Sequence, residues 1–491
     1  MPSSQSTRRT FLQHSATLTT VLVAGSMLPP LSSLVAQTAR PGHPIRLPTD
    51  WTGGTLTAAP ADLEVWPGEL ASLFAINGTV PAPTIRVRVG DRFAARVENQ
   101  LLEDLVLHWH GILAPEHMDG HPRDAVGPGQ SYQVDFRIQQ RAGTYWYHAH
   151  TDQLTGKQVY LGLAGFFIVE SPAERALRLP QGAYDVPLLL HDRRTHGMHH
   201  IAYEPEMLDI AAGFLGDAIF VNNTPEAYLS VDRALYRLRL LNGSNARVLH
   251  LGLANEQPLA LIANDAGLLP APVAVTTLML APGQRAEILV DFRGYALGDA
   301  VVLKSHPFDP GGGHGGGGGH GGGGNGTVPP QGEELDVLTF YVDRDSVESS
   351  VIPTRLGHIR RLNPASARYT RVFDLKVAGL LHPINGQLFD LNRIDASVPF
   401  GALEIWEYRN HSDELHPMHP HGVLFQVLER HGMATLPPED TGWKDTVLVH
   451  PNETVTVLVR YEAYQGLYVH HCHNLEHEDN GMMQNLDVGR P

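Results

Sequence analysis

Polar and apolar residues alternate through short runs along the chain, and two such runs return three times. In the first phrase an Asn turn, Ile76-Asn77-Gly78, leads to the alternating run Ile85 to Asp91. It recurs as Val221-Asn222-Asn223 leading to Tyr236 to Asn242, and as Ile384-Asn385-Gly386 leading to Leu403 to Asn410. The second phrase is a Pro-led turn followed by a period-two strand: Pro128 to Phe136, Pro282 to Phe292 and Pro451 to Tyr461. Alternation with a period of two turns one face of a run toward a core and the other toward water, as in a half-buried strand. Three copies of the pattern, punctuated by turn residues, predict an all-β chain of three similar antiparallel sandwiches.

A length of 491 residues agrees with three domains of roughly 150 residues each. Breaks near Ser171-Pro172 and within Tyr341 to Pro353 give domains at residues 40–172, 173–348 and 349–491. The run Gly311 to Gly326, with His314 and His320 inside it, is too poor in apolar residues to offset the cost of ordering and reads as a linker. The group His191, His196, Met198, His199 and His200, opening the second domain, reads as a polar surface loop.

Residues 1–39 stand apart. Arg8-Arg9 before Thr10-Phe11-Leu12 and the apolar run Ala16 to Leu31 resemble a twin-arginine export signal, with residues 6–12 addressing the export machinery. The run is interrupted by Ser, Thr, Gly and Pro and falls short of the about 20 apolar residues of a membrane span, so no stable membrane anchor is expected. The expected location is periplasmic or secreted. Without that segment the chain keeps 34 basic against 52 acidic residues, net −18, which argues against nucleic acid as a partner and would attract cationic substrates.

One cysteine cannot form an internal disulfide, so Cys472 is a metal ligand, a nucleophile or a bystander. It lies between His471 and His473, with His477 and Met482 following. A thiolate, an imidazole and a weakly bound thioether, with one more histidine from elsewhere, are the donors of a mononuclear blue-copper centre. Two-residue spacing recurs in His108-Trp109-His110, His148-Ala149-His150, His419-Pro420-His421 and His471-Cys472-His473. On a strand each such pair shows both imidazoles on one face, while Cys472 points to the other. The pairs occur only in the first and third domains, so facing domains would bring eight imidazoles together. His470 shares the parity of Cys472 and reads as a core residue.

These motifs resemble those of the three-domain multicopper oxidases, the laccase and cuprous oxidase group, over essentially the whole exported chain. The resemblance implies three cupredoxin-like Greek-key sandwiches and four copper ions. His416, Cys472, His477 and Met482 would bind the type 1 copper, and His108 and His419 the type 2 copper. His110, His148 and His473 would hold one type 3 ion, and His150, His421 and His471 the other. The implied partners are dioxygen and a small organic reductant or Cu(I), with the chain acting as a monomer. Asp119 and Glu478 stand where bacterial members keep proton-relay carboxylates. A phenol or aromatic amine would be oxidised at the exposed edge of His416. Cu(I) would instead use acids such as Asp413 and Glu414, although the Met-rich insert of the cuprous oxidases is absent. A non-catalytic envelope protein on the same scaffold would lack ligands, and none is substituted here.

Overall fold

The computed structural model describes residues 40–195, 200–311 and 328–489. The twin-arginine segment, His196, Met198, His199, His314 and His320 lie outside the described residues. Among the described residues no helix is long and apolar enough to cross a membrane.

The strands form six sheets that pair into three cupredoxin-like sandwiches, with a separate apolar core inside each pair. In the first sandwich, strands Glu69–Ile76, Gly54–Trp66, Arg92–Asn99 and Ser131–Arg137 face strands Ala82–Arg88, Ala164–Glu170, Gly143–Ala149 and Leu107–His108. The third repeats this layout. There Tyr369–Leu375, Glu404–Asn410, Thr454–Val459 and Phe425–Arg430 make one sheet; Ala396–Pro399, Met483–Gly489, Gly466–Cys472, His416–Pro420 and Val447–Val449 make the other. The second sandwich is larger, with sheets of six and seven strands. Its six-stranded sheet takes in His43–Pro44, parallel to Ala227–Arg233, so the start of the segment expected in the first domain belongs to the second.

The repeated phrases hold the same turn three times. Asn77, Asn222 and Asn385 adopt left-handed φ of 52°, 49° and 54°, which asparagine tolerates because its side chain can bond the backbone locally. Each Oδ1 accepts a backbone N–H of a neighbouring segment: from Thr57 and Leu189 at 2.8 Å, and from Asp374 at 2.7 Å. The Pro-led turns likewise bend at Gly129, Gly283 and Asn452, with φ of 74°, 82° and 57°.

The surface-loop reading of the His191 group is corrected at its first member. His191 is buried, because it continues the strand Asp185–Arg193 into the second sandwich. Four successive apolar residues before it, Val186 and Leu188 to Leu190 around Pro187, do not alternate, which fits a strand covered on both faces.

Candidate metal centre

Strand register brings the histidine pairs together. His108 stands opposite His148 in the first sandwich, and His419 stands opposite His471 in the third. All eight paired rings are buried. They interleave across the two sandwiches: His108 stacks on His421 with centroids 3.6 Å apart, and His110 on His419 at 3.7 Å. Among the described residues the second sandwich contributes no histidine to this cluster, but it closes it. His473 lies against Gly283, where a Cβ would come within 2.9 Å of the ring, so the turn needs glycine for both space and φ.

Hydrogen bonds fix which nitrogen of each ring is bare. Nδ1 of His108 donates to the Asp119 carbonyl at 2.7 Å, that of His419 to the Asp445 carbonyl at 2.7 Å, and that of His148 to the Ala149 carbonyl at 2.9 Å. His471 donates to the Cys472 carbonyl at 3.0 Å, and His421 to Asp119 Oδ2 at 2.8 Å. Each of these five rings is thereby left with an unprotonated Nε2. His110 is reversed: its Nε2 lies 3.0 Å from Asp445 Oδ1, and its Nδ1 has no partner.

Several bare nitrogens meet head on. His108 Nε2 lies 3.3 Å from His419 Nε2, and His421 Nε2 lies 3.1 Å from His471 Nε2. Two lone pairs facing at that distance repel, and His148 Nε2 and both nitrogens of His473 are buried with no partner at all. Cations among these atoms remove every one of those penalties. The rings form three triads: His108, His419 and His421; His110, His148 and His473; His150, His421 and His471. Within each triad the candidate ligand atoms lie within 4.8 Å of one another. Burial first, and then mutual repulsion, holds His108, His110, His148, His419 and His421 well below the ordinary imidazole range, in the neutral form that ligates.

A fourth triad lies across the strand Gly466–Cys472. Cys472 Sγ is 3.5 Å from His416 Nδ1 and 3.8 Å from His477 Nδ1, and those nitrogens are 3.2 Å apart. Three donors at about 2.0–2.3 Å from one ion make a triangle of that size. Nε2 of His416 donates to Ser412 Oγ at 2.8 Å and Nε2 of His477 to the Ala211 carbonyl at 3.0 Å, so both Nδ1 atoms are bare. Burial pushes the Cys472 thiol up, so it loses its proton readily only to a cation. Met482 is buried in the same core cluster as Cys472, and its carbonyl accepts the Cys472 N–H at 3.0 Å. His470 is buried beside Phe373, as its parity predicts.

The short helix Leu475–Asp479 ties this group to everything around it. Glu476 accepts from Phe214 N at 2.8 Å and Asn245 Nδ2 at 2.6 Å in the second sandwich. Asp479 accepts from Thr155 N at 3.1 Å and Gly156 N at 2.9 Å in the first. Between them Glu478 turns to the histidine cluster, with Oε2 2.9 Å from His471 Nδ1 and Oε1 3.5 Å from His150 Nε2. The two carboxylates of the cluster have opposite tendencies. Burial pushes Asp119 well up; Glu478 is also buried, but His471, His150 and His473 outweigh that and hold it low.

The expected exposed edge of His416 is not there. Its ring is 0% exposed, because Ser412 occupies Nε2. Asp413 and Glu414 do line a cleft, together with Leu415, Ala212, Asn474 and Arg194. Burial, and Asp413 beside it, push the Glu414 carboxyl up to about 7.

Two groups have no counterpart among the sequence expectations. Asp445, with Arg285, Lys444 and Asp265, forms a buried charge network behind His110. His382, a lone loop histidine, is buried with its ring stacked on His477 at 4.0 Å and 20°, and it donates Nε2–H to the same Ala211 carbonyl at 3.0 Å. No spacing in the sequence marks either.

A family model described as multicopper oxidase matches residues 60–174, and a second of the same description matches residues 360–491. The chain is 33% identical to the cell division protein FtsP of Escherichia coli, across 98% of both chains. It is 30% identical to the laccase of Bacillus subtilis, covering 85% of this chain and 90% of that one. The chain belongs to the multicopper oxidase family. Its fold is also similar to the crystal structure of the McoA multicopper oxidase of Aquifex aeolicus, at 36% identity and a TM-score of 0.82 over 91% of this chain and 99% of that one. Copper is therefore the cation that the family implies for these triads, and N and S donors of this kind fit it.

For this multicopper oxidase the His382 stack has a measurable consequence. In a His382→Ala variant water reaches the face of His477, and the Ala211 carbonyl serves His477 alone. Both changes favour the more highly charged, oxidised ion. The potential of a copper ion held by His416, Cys472 and His477 is expected to fall, and to be partly restored in His382→Phe, which keeps the stack. Redox titration of the copper-loaded proteins checks this; equal potentials in all three would remove His382 from the site.

Proposed function

We propose that this chain is a laccase-like oxidase that takes single electrons from phenols or aromatic amines at a type 1 site and passes them to dioxygen at a trinuclear site. Bound copper would supply one-electron acceptance at His416, Cys472, His477 and Met482, and four-electron reduction of dioxygen to water among the eight paired histidines. The observation that carries this reading is the strand Gly466–Cys472 with His473: Cys472 faces one complete triad while His471 and His473 belong to two others. The Cys472 sulfur and the two rings are thus joined through consecutive residues, a covalent path for electrons.

The residues divide the work as follows. Cys472, His416 and His477 present three donors with their other polar atoms already bonded, so their geometry is set before any ion arrives. Asp119 orients His421 by accepting its Nδ1–H, and Asp445 orients His110. Glu478, ionised against His471 and His150, is the carboxylate best placed by position to accept protons and relay them to the cluster, with Asp119, which burial keeps protonated, second. The cleft bearing Asp413 and Glu414 is the way in for the donor, which favours amines and other electron-rich molecules carrying positive charge. Residues 6–12 would direct export, placing the enzyme in the periplasm or outside the cell as a monomer.

Oxidation of Cu(I) is the second reading, supported by the carboxylates of Asp413 and Glu414 at the cleft. A non-catalytic envelope role on the same scaffold, the third reading, predicts broken ligand sets; each triad here is complete.

The test is turnover of a phenol and of Cu(I) by the purified, copper-loaded protein, each with and without added copper. A phenol rate that appears only with excess copper would transfer the assignment to Cu(I). Glu478→Gln should lower the rate of dioxygen reduction by about 10²-fold or more, the usual weight of a positioned acid. Reduction of the type 1 site by the donor, followed by loss of colour under anaerobic mixing, should be unaffected. Unchanged steady-state turnover would remove Glu478 from the relay.

A further inference from the structure

Away from the histidine cluster, a Met-His-His row crosses the outer face of the six-stranded sheet of the second sandwich. His250 on Leu249–Leu253 stands opposite Met279 on Thr277–Leu280. On the other side, Leu251 pairs with Ser305, and the His306 N–H donates to the His250 carbonyl at 2.7 Å, which sets His306 opposite His250. Directly opposed residues of antiparallel strands share a face, with Cβ atoms about 4.5–5.5 Å apart. Leu249, Leu251, Leu278 and Leu280, of opposite parity, fill the core on the other side.

The row is half-buried. Phe308 lies against His250 at 6.1 Å, and Met279 and Phe308 pack on a cluster that includes Leu415 and Leu448 of the third sandwich. The His250 and His306 rings are 6.3 Å apart at 72°, wider than the 5.0 Å between His416 and His477, which share one triad, so the two rings would turn inward to meet a common ion. Nδ1 of His250 and Nε2 of His306 are buried without a hydrogen-bond partner. Gly252, next on the His250 face, is hemmed in first by the Thr276 carbonyl, 2.5 Å from where a Cβ would stand, and further out by the His306 Nε2 at 3.0 Å. Packing alone would be served better by aliphatic side chains, since buried nitrogens without partners cost free energy.

Two imidazoles and a thioether are soft donors that select Cu(I) over harder divalent ions. We infer that Met279, His250 and His306 bind one Cu(I) ion, at a site separate from the type 1 and trinuclear groups. Leu415, a member of the cluster on which Met279 packs, immediately precedes the proposed type 1 residue His416, so the ion would be held near the strand that receives electrons. The inference concerns a binding site and stands whether the natural donor is a phenol or Cu(I).

Silver(I), which does not change oxidation state under these conditions, is the probe. The copper-loaded holoenzyme is titrated with Ag(I) and bound metal is counted by native mass spectrometry, alongside Met279→Leu/His306→Gln. The double variant should keep its blue colour and phenol turnover and take up one silver ion fewer than the parent, with the lost ion being the tightest bound outside the copper sites. Equal uptake by parent and variant, or no uptake by the parent, overturns the site. A copper-loaded parent that is colourless before any silver is added would instead count against the oxidase reading.

Discussion

Cys472→Ser should give a colourless protein with oxidase activity at background for every donor, while copper remains bound among the paired histidines. A serine hydroxyl does not ionise here and is a hard donor, so the thiolate-to-copper transition that makes the site blue has no origin. Little else changes. The side chain is nearly the same size in a core where Cys472 is fully buried, and a serine Oγ can still accept the Asn474 N–H that now lies 3.5 Å from Sγ. The paired histidines are untouched, because His471 and His473 leave the strand on its opposite face. Absorption and electron paramagnetic resonance spectra, turnover and metal analysis check the three parts of this expectation. A variant that stays blue would sink the type 1 assignment. A colourless variant that still oxidises phenols would break the electron path through Cys472.

How much of this could be read beforehand follows from which interactions are local. The Asn turns at Asn77, Asn222 and Asn385 were legible because the left-handed bend is carried by two adjacent residues, Asn-Gly or Asn-Asn, a local signal. The eight paired histidines were legible because strand parity alone puts each pair on one face, and repetition in two sandwiches singles them out. The exposed edge of His416 was misjudged because Ser412, four residues upstream, folds back onto Nε2, and a turn of that kind leaves no periodic mark. His191 was misjudged because a histidine near other histidines suggests solvent, whereas the strand it belongs to, Asp185–Arg193, is covered on both faces. His382 and Asp445 could not be found at all. Each reaches the site from a distant part of the chain, His382 to His477 and Asp445 to His110, and a single residue has no pattern. The same is true of the Met279-His250-His306 row, which exists only through strand register.

Asp445 is where such an unmarked residue should matter most. It and Arg285 are both 0% exposed, joined by Arg285 Nη1 to Oδ1 at 2.7 Å, while Lys444 Nζ meets Asp265 Oδ2 at 2.9 Å, so two cations balance two anions inside the protein. Removing one partner of a buried pair costs about 3–5 kcal/mol, because the other charge is left without compensation. Asp445→Ala should therefore unfold at markedly lower denaturant even without copper. Removing both charges is a different matter: Asp445→Ala/Arg285→Met leaves no stranded ion and should recover most of that loss. Copper retention should not recover with it. Asp445 Oδ1 accepts from His110 Nε2 and so keeps Nδ1 bare for the metal; Thr446 Oγ1, at 3.1 Å, is left as a weaker acceptor. Loss of such an orienting carboxylate weakens metal binding by about 10–100-fold. Denaturant unfolding of the copper-free proteins and copper competition with a chelator separate the two effects. If the double variant holds copper as tightly as the parent, Asp445 does not orient His110, and its role is confined to pairing Arg285.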